Sequence, residues 1–204
     1  PKAARLRTTE MTLKEIATEL KKFDSALIFS HARPDGDTLG SAMALKTALI
    51  NLGMEADVVC ASDIPEKYDI FPAFKTIKKP AEINKKYAAH VSVDISVESM
   101  FGDGYNLYTK NANLFNIDHH VSNSRYAKYN FVRDNAACCE IIYELMQCLG
   151  AEVTSEIADY LILGIITDTG NFMHSNVTEN TLFVASKLVA AGARIHDITY
   201  RMFK

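Results

Sequence analysis

No excess of one charge marks this chain, since 22 Lys and Arg stand against 25 Asp and Glu for a formal net charge of −3. That balance supplies no general basic field for nucleic acid or an anionic membrane surface. Cysteine is scarce: Cys60, Cys138, Cys139 and Cys148 show neither C-x-x-C spacing nor an obvious pairing, and the abutting Cys138 and Cys139 are poor partners for an unstrained bridge. A reducing, cytoplasmic setting is the expected one. Long hydrophobic runs are missing as well, with no apolar stretch near the roughly 18 residues that suggest a membrane span. The basic start PKAARLR lacks the apolar segment of a signal peptide. No internal repeat, low-complexity tract or Gly/Ser-rich linker divides the 204 residues, which points to a single α/β domain. Gly36 and Gly40 do not make G-x-G-x-x-G, and this sets aside a dinucleotide-binding turn.

What is present is an alternation of short apolar runs and helical periods. Thr12 and Glu15 form a T-x-x-E capping box ahead of Leu13, Ile16, Ala17 and Leu20, which share one helical face. Ser25 to Ser30 reads as a strand, and from Asp37 the period turns helical through Leu39, Ala42, Met43, Leu49 and Ile50 to a stop at Gly53. Further strand candidates are Asp57 to Cys60, His90 to Ile95, Leu114 to Ile117 and Tyr129 to Val132. From Glu140 onward the pattern is helical, with segments ending near Gly150, Asp168 and Gly192 and a last one beginning at Ile195. The expected fold is therefore α/β, a mostly parallel sheet with helices on both faces and a helical C-terminal part.

Carboxylates and imidazoles gather where these runs end. HARPDGDTLGS (His31 to Ser41), VSVDIS around Asp94 and NIDHH ending at His120 each follow a strand-like run, and GIITDTGNF around Asp168 follows a helical one. In an open α/β sheet, ligands bind beyond the carboxyl ends of the strands, while a helix C-terminus carries partial negative charge that helps to hold a cation. Each segment has a plainer reading. Asp37 can cap the helix after the Pro34-Asp35-Gly36 turn, Asp94 can cap a helical turn near Glu98, and Asp168 can belong to turn chemistry beside Gly170. Adjacent His119 and His120 after a buried strand point to opposite sides and rarely both serve packing. Crowded carboxylates repel one another unless cations sit between them, so the four segments together suggest a buried two-metal hydrolytic site. Two divalent ions held by Asp35, Asp37, Asp94 and Asp168 would bring the formal charge from −3 to +1 and supply the attraction for an anionic substrate.

In this order the segments resemble the four motifs of the DHH phosphoesterases, in particular the nano-RNase branch of oligoribonucleases and phosphoadenosine-phosphate phosphatases. HARPDGDTLGS resembles the first motif, VSVDIS the second, NIDHHVSN the third, and GIITDTGNF followed by HSNVT the fourth, so nearly the whole chain is covered. The resemblance implies that His31, Asp35 and Asp94 hold one ion, that Asp37, Asp94, His119 and Asp168 hold a second, and that Asp94 bridges them. Hard carboxylates with a few imidazoles suit Mn²⁺ first, with Mg²⁺, Zn²⁺, Co²⁺ and Fe²⁺ as competitors. A water shared by the two ions would be the attacking group. By the same resemblance Asp94 and His120 are the catalytic residues, His120 facing the substrate phosphate as donor or proton source, with Asp118 orienting its neighbours. Asn123, Arg125 and His174 are candidate phosphate or base contacts, each with a solvated loop as the alternative. His90 and His196 fit no motif and read as strand-edge or surface histidines. Cys138 and Cys139 stand where relatives carry small hydroxyl residues, beside Glu140.

The implied activity is Mn²⁺-dependent hydrolysis of short oligoribonucleotides or 3′-phosphoadenosine 5′-phosphate, with those nucleotides as the partners and no membrane. Pyrophosphatase, exopolyphosphatase and longer-strand exonuclease share the metal motifs, and outside the enzymes a non-catalytic, nucleotide-sensing module is the alternative. All six ligand positions are filled, which favours catalysis. Members of the branch carry a second, smaller domain, so the expected organisation is a DHH catalytic domain over 1–192 and the start of a linker helix over 193–204.

Overall fold

Runs of five residues buried along their whole length form the middle of the structure, a computed structural model that describes residues 8–204. The basic segment 1–7 lies outside the described residues. The strands are β1 (Thr9–Glu10), β2 (Ser25–Phe29), β3 (Glu55–Val59), β4 (Ala89–Val93), β5 (Leu114–Asp118) and β6 (Tyr129–Val132). All pairings are parallel and the order is β1-β6-β5-β4-β2-β3. Strands β2, β4 and β5 show no polar alternation because both their faces are covered. From β2 the chain moves outward to β3 and then crosses to β4 on the other side of β2, so strand order reverses between β2 and β4. A crevice at the carboxyl ends of those two strands follows from this topology.

The helices are α1 (Leu13–Leu20), α2 (Gly36–Asn51), α3 (Tyr105–Tyr108), α4 (Cys138–Leu149), α5 (Ser155–Asp168), α6 (Glu179–Ala190) and α7 (Ile195–Phe203). One sheet face packs against α1, α2 and α4 through a core that includes Ile28, Leu45, Val91, Ile117 and Ile141. The opposite face is covered more thinly, by α3 and a 3₁₀ turn over Glu98–Gly104, with Phe29, Phe101 and Tyr108 at its centre. Helix α5 lies a layer further out, between α2 and α4 on one side and α6 and α7 on the other. It is buried from Ile157 to Ile166, which explains its nearly unbroken apolar sequence. Helix α7, expected to begin a linker, packs back onto α5 with Ile198 buried, and Arg194 pairs with Asp159 at 2.7 Å. Among the described residues no helix is long and apolar enough to cross a membrane.

Several expectations are corrected. β1 is a two-residue edge strand that apolar patterning does not mark, and α4 begins at Cys138 rather than Glu140. Asp35, not Asp37, caps α2, its carboxylate accepting the N–H groups of Asp37 and Thr38, each at 3.1 Å. Asp94 caps nothing, since the 3₁₀ turn near Glu98 starts after Val97 without a side-chain cap. His90 is neither edge nor surface: it is buried in the central strand β4, with Nδ1 2.9 Å from the Tyr108 carbonyl. His196 is exposed on α7.

Helices α2 and α5 meet through glycine. A Cβ on Gly40 would stand 2.3 Å from the Tyr160 carbonyl oxygen, and one on Gly164 would stand 2.3 Å from Cys139 Sγ and 2.6 Å from Asp37 Oδ1. Gly40→Ala should therefore destabilise the fold by about 1–3 kcal/mol through overpacking. This loss opposes the roughly 1 kcal/mol that alanine gains in helix propensity. Denaturation midpoints measure the balance, and an unchanged or higher midpoint would contradict so close a contact.

Candidate metal centre

The loops at the β2, β4 and β5 carboxyl ends and the end of α5 converge on one point. His31 follows β2, Asp35 and Asp37 open α2, Asp94 follows β4, His119 and His120 follow β5, and Asp168 closes α5. His31 Nε2 lies 3.4 Å from Asp35 Oδ2 and 3.6 Å from Asp94 Oδ2. His119 Nε2 lies 3.3 Å from Asp94 Oδ1, 3.7 Å from Asp168 Oδ2 and 3.8 Å from Asp37 Oδ2. Three sets of donor atoms result among the described residues, His31-Asp35-Asp94, Asp37-His119-Asp168 and Asp94-Asp118-His119-His120, each within 4.8 Å, and Asp94 Oδ1 also lies 3.3 Å from His119 Nε2 of the second set.

Asp94 reaches from the first set to the second because its backbone is left-handed, with φ 57° directly after β4. For a residue with a side chain this conformation costs roughly 1–2 kcal/mol, and such outliers cluster where function requires them. Asp37 is held differently. It is fully buried, and its carboxylate accepts the N–H groups of Cys138 at 2.6 Å and Cys139 at 2.9 Å, at the positive N-terminus of α4. Asp168 is aimed by an abrupt stop, since Gly170, Asn171 and Phe172 all have positive φ and turn the chain away after α5.

The donor set fits cations. His119 Nδ1 lies 2.9 Å from the Asn135 carbonyl, so it carries the proton and leaves Nε2 with a lone pair in the neutral ring, able to ligate a cation. That Nε2 and Asp94 Oδ1 are buried with no hydrogen-bond partner, although carboxylate oxygens surround the nitrogen. Buried polar atoms are ordinarily satisfied, and lone pairs facing one another across 3 to 4 Å call for a positive ion between them.

The charges say the same. Burial, then the charges of Asp37, Asp94 and Asp35, pushes the Asp168 carboxyl up to about 9. Burial and Asp94 push Asp37 up to about 7. At His31 and His119 burial works against the imidazolium, but Asp35 and Asp94 in the first case, and Asp94 and Asp37 in the second, outweigh it and raise both to about 10. Protons thus do in the cation-free site what metal ions would do better.

Asp118 is the orienting residue of the cluster. Its Oδ1 accepts the His119 N–H at 2.9 Å and lies 2.8 Å from His120 Nδ1, and Oδ2 accepts from Asn123 at 2.6 Å. Burial opposes its ionisation, yet His120 and Asn123 hold its pKa below the usual carboxylate value. Asn123, expected at the substrate, is instead 4% exposed, and its amide donates to Ile95, Asn116 and Asp118. Arg125 is turned to Glu10 at 2.8 Å. His174 is exposed, 3.3 Å from the Asp168 carbonyl. His120 is the imidazole that faces outward, into an open cavity of about 340 Å³ lined also by His31, Arg33, Asp94, Ser99 and Asp168.

Sequence reasoning passed over three contributors. Arg33 sits inside the first acidic segment and is the cation at the cavity wall, and Ser99 reaches the cavity from the 3₁₀ turn. Glu140 is fully buried and accepts from Asn135 at 2.8 Å, Asn180 at 2.9 Å and Thr181 at 2.8 Å, steadying the loop whose carbonyl fixes His119. Its place in the first turn of an apolar helix face was the available signal.

With this geometry in view, residues 25–165 match the model of the DHH family, N-terminal domain. The chain belongs to the DHH family. The bifunctional oligoribonuclease and PAP phosphatase NrnA of Thermus thermophilus is 34% identical to this DHH chain over 196 residues, covering 93% of the chain and 57% of that protein. The Bacillus subtilis protein of the same name is 29% identical over 182 residues, covering 86% and 56%. The DHH chain thus spans a little over half the length of these relatives. An exopolyphosphatase-related protein from Bacteroides fragilis shares its fold, with a TM-score of 0.87 at 19% identity over 94% of this chain and 59% of that one.

Without cations the folded site holds more protons than the unfolded chain, because Asp168 titrates near about 9 rather than 3.8 and His119 near about 10 rather than 6.5. Stability follows protons bound unfolded minus protons bound folded, which is negative here, so it falls as pH rises from about 6 to about 9. The denaturation midpoint of chelator-treated protein should fall over that interval and recover on adding Mn²⁺. A midpoint that rises with pH would contradict the carboxylate cluster.

Proposed function

We propose that the domain is a divalent-cation-dependent hydrolase of phosphoester bonds, acting on short oligoribonucleotides or 3′-phosphoadenosine 5′-phosphate. The observation that carries this reading is the convergence of the His31-Asp35-Asp94 and Asp37-His119-Asp168 donor sets, with Asp94 Oδ1 3.3 Å from His119 Nε2 and both atoms lacking any partner, at the wall of a cavity that His120 and Arg33 also line. The names of the Thermus and Bacillus relatives support the substrate class. His31, Asp35 and Asp94 would hold one ion and Asp37, Asp94, His119 and Asp168 the other. Oxygen-rich ligands with few imidazoles favour Mn²⁺ over Zn²⁺. Such ions supply Lewis acidity to the phosphoryl group and activate water.

The chain's own residues do the rest. Asp118 accepts the Nδ1 proton of His120, so in the imidazolium form Nε2 carries the second proton toward the cavity and donates it to a phosphoryl or departing oxygen. The hydrogen bond to Asp118 also raises the His120 pKa, which favours the imidazolium form and its Nε2 proton. Arg33 adds a permanent positive charge at the cavity wall, suited to a second phosphate or a backbone oxygen of the nucleotide.

Mn²⁺-loaded protein should hydrolyse di- to pentanucleotides or phosphoadenosine phosphate in preference to pyrophosphate, polyphosphate or cyclic dinucleotides, as measured by product release across that panel. Preference for pyrophosphate would overturn the assignment. His120→Ala should lower kcat by roughly 10²–10⁴-fold, the usual range for a proton donor, while bound metal measured by elemental analysis stays unchanged. An unchanged kcat would remove His120 from the reaction.

A further inference from the structure

A second cavity, of about 340 Å³, lies at the amino end of β4, the opposite end of that strand from Asp94. Small-molecule sites begin at about this size. Its inner wall includes His90, Tyr87 and, from α3, Leu107, and its mouth carries the exposed side chains of Lys85, Lys86 and Lys110. No carboxylate lines it, although the chain as a whole has an acidic excess.

The histidine is the member that packing does not explain. His90 is 5% exposed, its ring 5.3 Å from that of Phe29 between centroids. Nδ1 lies 2.9 Å from the Tyr108 carbonyl, an acceptor, so that nitrogen carries the proton and Nε2 holds a lone pair. Nε2 has no protein partner, yet it is not sealed in the interior as His119 Nε2 is. Among the described residues the buried side-chain polar atoms without a partner are Asp94 Oδ1, His119 Nε2 and the Tyr68 hydroxyl. Nε2 therefore opens on the cavity that His90 lines. Burial lowers the imidazole pKa from its usual value, so the nitrogen stays an acceptor near neutrality and calls for an N–H or O–H donor.

The other residues call for different chemistry. Lys85 is engaged with Glu55 and Asp57, whereas Lys86 and Lys110 have no carboxylate partner among the described residues and are matched by an anion. The Tyr87 hydroxyl is held by Asp57, which fixes its ring, and with Leu107 that ring offers apolar area to a flat group.

We propose that this cavity binds a mononucleotide at a site separate from the metal centre, a base N–H donating to His90 Nε2, the base against Tyr87 and Leu107, and the phosphate at Lys86 and Lys110. Inorganic phosphate would match the lysines and leave the wall bare. A nucleoside would cover the wall and leave the lysines unmatched. Mononucleotides are products of the oligonucleotide hydrolysis proposed above, so product can occupy this site while the metal centre is free. The cavity itself does not depend on that reading.

Calorimetric titration of chelator-treated protein with adenosine monophosphate, adenosine and inorganic phosphate tests the proposal without cations. Adenosine monophosphate should saturate below about 1 mM, with adenosine and phosphate each bound at least about tenfold more weakly. Lys86→Gln combined with Lys110→Gln, both at the surface, should weaken the monophosphate about tenfold and leave adenosine within about twofold. His90→Phe keeps a ring beside Phe29 and should weaken both about tenfold; if its denaturation midpoint falls, the lysine variant and the histidine ring signals decide. In the NMR spectrum the monophosphate should shift the ring signals of His90 and leave those of His31, His119 and His120 in place. Absence of saturation by about 1 mM, equal affinity for inorganic phosphate, unchanged affinity in the lysine variant, or shifts confined to the other three histidines would each overturn the proposal. Binding with these properties in a protein that hydrolyses no nucleotide would support the site and overturn only the function proposed above.

Discussion

Electrostatic repulsion among buried carboxylates governs this structure. Asp37, Asp94 and Asp168 surround a single imidazole nitrogen at 3.3 to 3.8 Å, and two of the three carry pKa values raised by burial and by one another. A fold tolerates such a cluster only where something offsets it. The N-terminus of α4 offsets part at Asp37, and protons offset more in the absence of cations. The remaining unsatisfied atoms, Asp94 Oδ1 and His119 Nε2, define where positive charge belongs.

Much of the surrounding architecture serves to bring those groups together and keep them there. Parallel pairing in register aligns the ends of β2, β4 and β5, so that His31, Asp94 and His119 emerge at one edge near the reversal in strand order. Glycines at the α2–α5 crossing let Asp37 and Asp168 approach from separate layers, since a methyl group on Gly164 would occupy the space beside the Asp37 carboxylate. Behind them a polar ladder runs from Ser92 and Asn116 in the sheet through Asn123 in the loop after β5 to Asp118, and sets the two adjacent imidazoles at different tasks. His119 turns inward to the cluster and His120 outward to the cavity.

The parts of this arrangement legible from sequence are those with a local signature. Buried strands read as apolar runs, α1 announced itself by the Thr12–Glu15 capping box, which the structure contains, and the four acidic segments were visible because each terminates such a run. Contacts between distant segments were not legible. Nothing local shows that Asn123 is buried against Asp118, that Arg125 turns to Glu10, or that Glu140 steadies the loop behind His119. β1 escaped because two exposed residues at a sheet edge have no periodicity. The plainer reading gave the cap of α2 to Asp37 rather than Asp35, because spacing alone does not decide which of two nearby aspartates faces the helix N–H groups.

The central claim is that Asp94 is shared by two cations. Equilibrium dialysis of chelator-stripped protein against Mn²⁺, with the bound metal counted per chain, tests it most directly. The wild type should hold two ions, in keeping with a two-metal site, and Asp94→Ala should hold one at most. A wild type that binds none, or an Asp94→Ala variant that retains both, would contradict the account.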